Sequence, residues 1–109
     1  MKKAEIHYKN RLSGLLIEDE SGYTFQYLDS YLLAKDSEAI SLTFPLTEAP
    51  YTDKILFPFF DGLIPEGWLL GIAEKSWKID QRDRMSLLLA CCKDCIGAVS
   101  VVPIKIKED

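Results

Sequence analysis

Apolar and polar residues alternate with a period of two near the start of the chain, and the period changes to about 3.6 in its second half. Ala4, Ile6 and Tyr8 alternate with Glu5, His7 and Lys9, and residues 12–17 continue after a polar break at Asn10-Arg11. This pattern predicts two strands in a hairpin. Glu18-Asp19-Glu20-Ser21-Gly22 is a turn, with Gly22 free to take positive φ, and Tyr23, Phe25 and Tyr27 alternating with Thr24 and Gln26 predict a third strand. Ile40, Leu42 and Phe44 alternate with Ser41 and Thr43 until Pro45 stops the pairing, which predicts a fourth strand at a sheet edge.

Helices are expected from there on. Pro58 fits the first position of a short helical turn running to Leu63, because its missing N–H costs nothing there, and Pro65 opens a second helix in the same way. At steps of about 100° from Leu69, residues Ile72, Ala73, Ser76 and Trp77 form a core-facing stripe, while Gly67, Gly71, Glu74 and Lys78 fall on the opposite face. Asp80 and Asp83 resemble a capping pair before a helix in which Met85, Leu87, Leu88, Leu89 and Ala90 are apolar nearly all round, so that helix should be the most buried. Residues 98–102 form a closing strand that returns to the sheet. The expected fold class is α+β, a small antiparallel sheet with about three helices on one face. With no repeat, low-complexity tract or linker, residues 1–109 are expected to form one domain.

Composition narrows the function. A chain of 109 residues, 48% of them hydrophobic, can bury a core without disulfides or metal. Its 17 acidic against 13 basic residues, a net charge of −4, disfavour direct nucleic-acid binding, which needs clustered Lys and Arg. Met1-Lys2-Lys3 lacks the apolar stretch of a signal peptide, and no apolar run approaches the roughly 20 residues that span a bilayer. A cytoplasmic protein with no membrane partner is expected. Three cysteines, Cys91, Cys92 and Cys95, are an odd number within five positions and give no disulfide framework, which fits a reducing compartment.

Candidate chemistry is sparse. His7 is the only imidazole available as a general base, and a solvent-facing strand histidine explains it more simply. Cys92 and Cys95 have the C-x-x-C spacing of zinc and redox sites, but no second pair completes four zinc ligands, so buried structural thiols are the simpler reading and neither metal nor cofactor is expected. Asp61 and Glu66 are acid/base candidates without a companion residue; capping and complementation of a helix dipole explain Glu66, with direct partner contact as the alternative. Phe60-Asp61-Gly62 has the wrong order for the metal-binding tripeptide of kinases, and no phosphate loop accompanies it. Trp68 projects about 100° from Leu69, away from Trp77 and near Lys75, at the edge of the core stripe. It either packs under the loop over residues 47–54 or anchors a partner.

The run Phe59-Phe60-Asp61-Gly62-Leu63-Ile64-Pro65-Glu66-Gly67, followed by Asp94-Cys95-Ile96-Gly97-Ala98-Val99, resembles the N-terminal subdomain of HipA-type Ser/Thr kinase toxins. The likeness extends to Gly14-Leu15-Leu16, to Phe25 and Tyr27, and to Ser41-Leu42-Thr43-Phe44-Pro45-Leu46. Gly62 departs from a frequent Asn, and Cys92-Lys93 from a helix end that is often glycine-rich. In that family a large C-terminal core carries nucleotide binding and catalysis. A freestanding subdomain resembles the small HipS-type component of the tripartite HipBST toxin–antitoxin systems. The resemblance implies a non-enzymatic antitoxin that binds a separate HipT-like kinase, within a complex that also holds a HipB-like DNA-binding protein. The alternatives are an activating or scaffolding subunit, or the N-terminal domain of a longer HipA toxin. Exposure places Trp68, Pro65, Glu66, Gly67 and Asp61 near the contacted surface.

Overall fold

In the computed structural model, which describes residues 2–64, 83–91 and 98–104, β1 (Lys2–Tyr8) and β2 (Arg11–Asp19) form the expected antiparallel hairpin. Its turn residues Lys9 and Asn10 both take positive φ, 51° and 65°, the hand of turn whose twist matches the strands it joins. Ser13 is an extra residue between the pairs Ile6↔Gly14 and His7↔Leu12, a bulge in β2. β3 (Gly22–Tyr27) returns along β2 after Asp19 Oδ1 has accepted hydrogen bonds from the Ser21 N–H and hydroxyl at 2.9 and 2.7 Å, and Gly22 takes a φ of 132°. The closing strand β5 (Val99–Ile104) pairs with β1 and places Pro103 opposite Ala4.

The inner face of the sheet carries Ala4, Ile6, Leu16, Phe25, Tyr27, Val99 and Val101, all buried. Gly14 sits in the middle of this face because β3 leaves no room for more. A Cβ there would lie 2.6 Å from the Gln26 carbonyl oxygen and 2.8 Å from the Phe25 ring. Leu28 N–H donates to the Ser13 carbonyl at 3.0 Å and starts the single turn α1 (Asp29–Leu32), which the periodicity does not predict.

The strand expected at 40–44 does not form. Ile40 and Phe44 are buried as that alternation requires, but Leu42 points wholly into water and the chain bends, with Phe44 N–H donating to the Ser41 carbonyl at 3.0 Å. The cause is the Tyr27 hydroxyl, buried in an apolar core where an unpaired polar group is costly. It accepts from the Ile40 N–H at 3.0 Å and donates to the Phe44 carbonyl, so it takes up backbone groups that a ladder would need. Burial pushes its pKa up to about 12, which keeps the donating proton in place. The edge position falls instead to β4 (Tyr51–Asp53), paired with β3, and the sheet order is β4-β3-β2-β1-β5, antiparallel throughout.

Two further helices close the core. α2 (Pro58–Asp61) begins at Pro58 as predicted and buries Phe60. In α3 (Arg84–Cys91), Met85, Leu87 and Leu88 are fully buried. Asp83 itself caps α3, accepting from the Ser86 N–H at 3.2 Å and the Ser86 hydroxyl at 2.7 Å. The helix expected from Pro65, including its stripe and Asp80, lies outside the described residues. Phe44 links these layers, with its ring centroid 4.9 Å from Phe25, 5.3 Å from Phe57 and 5.6 Å from Phe60.

Tyr27→Phe should lower unfolding stability by about 1–3 kcal/mol, because two buried backbone groups lose their partner. Urea denaturation with an unchanged slope checks this. A loss below about 0.5 kcal/mol would show that the hydroxyl does not hold the 40–44 segment.

Candidate partner-binding surface

The site predicted around the Phe59–Gly67 run is described from its base up to Ile64. Phe60 and Ile64 are buried in the core, and the backbone between them is tied by Asp61 N–H to the Phe57 carbonyl (2.9 Å), Gly62 N–H to Pro58 (2.9 Å) and Ile64 N–H to Asp61 (3.1 Å). Asp61 Oδ1 accepts from Arg84 Nε at 2.6 Å and so joins the end of α2 to the start of α3. The described part of the run is thus held by the core at both Phe60 and Ile64 and by the Asp61–Arg84 pair. Of the five predicted contact residues, Asp61 is half-buried and engaged in this ion pair; Pro65, Glu66, Gly67 and Trp68 lie outside the described residues, as does the Asp61–Glu66 carboxylate pairing.

A second set of charges ties α3 to the sheet. Lys2 Nζ lies 3.3 Å from Glu18 Oε1, its cross-strand partner, and 3.4 Å from Asp83 Oδ2 at the helix cap. Burial works against ionisation of Asp83, but the Ser86 hydroxyl and N–H together with Lys2 outweigh it and hold the carboxyl below its ordinary value. Tyr23 is pushed well above the usual phenol range, first by burial and then by its hydrogen bond to Glu18.

Catalytic candidates are not assembled among the described residues. His7 is half-buried, with Nε2 3.2 Å from Glu5 Oε1, and no hydroxyl or thiol among the described residues bonds to its ring. No group of three or more His, Cys, Asp or Glu among them could hold a metal. Cys91 ends α3, while Cys92 and Cys95 lie outside the described residues. No helix among the described residues is long and apolar enough to cross a membrane.

Comparison with known proteins identifies the family. The HipA N-terminal domain family matches residues 4–102. The solved structure of an "N-terminal domain of HipA toxin" superposes with a TM-score of 0.76 at 28% identity, covering 98% of this chain and 96% of that one. An uncharacterized protein of Haemophilus influenzae is 32% identical over 101 residues, 93% of this chain and 92% of that protein. The chain belongs to the HipA N-terminal domain family, a non-catalytic subdomain with a toxin–antitoxin context.

Sequence reasoning missed the loop after α1. Tyr31 Oη donates to the Glu38 carbonyl at 2.6 Å and accepts from the Glu38 N–H at 3.2 Å, and the Ser37 hydroxyl donates to the Tyr31 carbonyl. Tyr27 and Tyr31, four residues apart with rings 6.0 Å apart, thus organise one irregular segment. Two tyrosines four residues apart at the end of a predicted strand, Tyr27 and Tyr31, are the sequence signal that could have found it.

The Asp83 cap carries a pH dependence. Because its folded pKa is depressed, its ionised form contributes stability that is fully present above the unfolded value of about 3.9 and is lost as pH falls from there through the lower folded value. Asp83→Asn keeps a capping oxygen but not the charge. It should cost under about 1 kcal/mol at pH 7, after solvent screening, and should flatten the stability loss between about pH 5 and 3. Parallel pH profiles of wild type and variant in chemical denaturation would contradict this.

Proposed function

We propose that this chain is the antitoxin of a tripartite system, binding and neutralising a separate HipT-like Ser/Thr kinase toxin through protein–protein contact. The observation that carries this reading is the Haemophilus influenzae relative, 92% of which is matched, so that protein consists of little besides this domain. A domain that is part of a toxin in one protein and stands nearly alone in another can return, as a free chain, to the kinase surface its fused equivalent covers. Neutralisation then needs only differential affinity. A surplus of about 3 kcal/mol for an inactive or blocked kinase state shifts the population roughly a hundredfold. A standard interface supplies that surplus.

Trp68, with Pro65, Glu66 and Gly67, is the proposed anchor, delivered from the platform that Ile64 and the Asp61–Arg84 pair make rigid. A buried indole desolvates a large apolar area at small entropy cost, which is why tryptophan is enriched among hot spots. Asp61 sits at the rim of this surface. A HipB-like DNA-binding protein completes the complex, and the net charge of −4 supports DNA contact through that component and not through this chain. The reading places the protein in the cytoplasm with its kinase, and assigns it no cofactor.

Co-expression with the kinase encoded beside it should relieve toxicity, and purified chain should lower kinase activity. Unrelieved toxicity overturns the reading, and activity that rises on addition makes the chain an activating subunit instead. Trp68→Ala should weaken kinase binding by about 2 kcal/mol, roughly thirtyfold, with an unchanged circular dichroism spectrum. Unchanged affinity removes Trp68 from the interface.

A further inference from the structure

The core lies on the inner face of the sheet, and the register fixes what the outer face displays. One row across the strands holds Thr24, Ile17, Lys3 and Ile104, and the next holds Gln26, Leu15, Glu5 and Val102. Leu15, Ile17, Val102 and Ile104 are half-buried, yet none of them belongs to the core or packs against it. An antiparallel sheet whose second face meets water carries mainly polar residues there. Here two aliphatic columns, Leu15 with Ile17 and Val102 with Ile104, flank the charged column of β1. Leu12, 39% exposed and opposite His7, extends the first of them.

Charge decides what such a face can meet. Lys3 makes no ion pair among the described residues, and Glu5 is paired only with the His7 ring, its Oε1 3.2 Å from Nε2. Consider a second copy laid face to face on the first, related by a twofold axis that crosses the strands between residues 3 and 5 of β1. Lys3 then meets Glu5 of the second copy, and Glu5 meets its Lys3. The same rotation sets Ile17 against Leu15, Ile104 against Val102, and Thr24 against Gln26 of the second copy. Charge thus meets opposite charge, aliphatic meets aliphatic, and polar meets polar. An axis along β1 would set Lys3 against Lys3, and one through Glu5 would bring two carboxylates together; both arrangements repel. Facing sheets keep their strands within about 30° of each other, so rows this close to the axis keep their partners.

The area is sufficient for a reversible dimer. Strands about 4.8 Å apart make a four-strand face about 20 Å square, and two copies bury on the order of 1,000 Å² of accessible surface, the lower limit of a specific interface.

We propose that the outer face of the sheet is a homodimer interface, in which a second copy packs about a twofold axis across the strands between Lys3 and Glu5. The aliphatic columns supply the buried area, and the two crossed ion pairs set the register. The interface lies on the side of the sheet away from the core and stands independently of the kinase-binding reading.

Sedimentation equilibrium of the purified full chain tests it. Wild type should dimerise reversibly, and Lys3→Glu or Glu5→Lys alone should raise the dissociation constant about tenfold or more, because symmetry counts each reversal twice. An equimolar mixture of the two variants should associate again as a heterodimer, since one copy then offers two carboxylates and the other two ammonium groups at the crossed positions. Circular dichroism checks the fold of each variant, and recovery on mixing separates a lost interface from a lost fold. Raising salt from about 0.05 to 0.5 M should weaken the wild-type dimer. A wild-type chain that stays monomeric up to about 1 mM overturns the proposal. A dimer indifferent to both reversals, or one that mixing does not restore, overturns it equally. Monomeric wild type whose binding to the kinase is weakened by the reversals assigns the face to the kinase, and the homodimer is again overturned.

Discussion

A hydroxyl placed in the middle of an apolar sheet face must be satisfied by whatever covers that face, and Tyr27 imposes this demand on the whole domain. Its partners are the backbone groups of residues 40 and 44, which draws an irregular stretch of chain across the sheet and seats Phe44 against Phe25, Phe57 and Phe60. Phe60 belongs to α2, α2 ends in Asp61, and Asp61 holds Arg84 at the start of α3. One buried polar group is thus connected, through an aromatic cluster and one ion pair, to the placement of both helices. The unpaired alternative costs about 1–3 kcal/mol, a large share of the stability of a small domain.

The strands legible in the sequence are those whose inner face is filled by aliphatic and aromatic side chains or by glycine. β1, β3 and the sheet-facing part of β2 show a clean period of two because their side chains alternate between core and solvent. β5 shows it too, and α2 and α3 are marked by a proline at the first position and by an apolar run. Residues 40–44 carry the same alternation and are not a strand. Ile40 and Phe44 are buried for a reason three-dimensional in origin, a hydroxyl from another element, and Leu42 between them faces water for the same reason. Local pattern cannot distinguish these cases, because the deciding bond spans 13 residues of chain at Ile40 and 17 at Phe44. The cap at Asp83 is of a different kind: its chemistry is legible in the sequence, while its partner, the Ser86 hydroxyl and N–H, is fixed only by the fold.

The exposed leucines after α1 are hidden for a related reason. Leucines within alternating or mixed runs are read as core, since burial is their commonest state, and exposure of Leu33 and Leu42 follows only from the way Tyr27 and Tyr31 fasten the backbone. Trp68 stands out from its helical projection, and at the base of its segment Ile64 is buried and Asp61 is paired with Arg84.

Pro103 has a consequence for how the sheet meets neighbouring chains. It lies in the outermost strand on the β5 side, opposite Ala4, and has no N–H to offer. A neighbouring polypeptide that tried to extend the sheet there would find the donor missing from its ladder. At the far side β4 is three residues long, too short to template another strand. Growth of the sheet into fibres or strand-exchanged aggregates is thereby discouraged at both margins, which favours recognition by side chains over recognition by backbone.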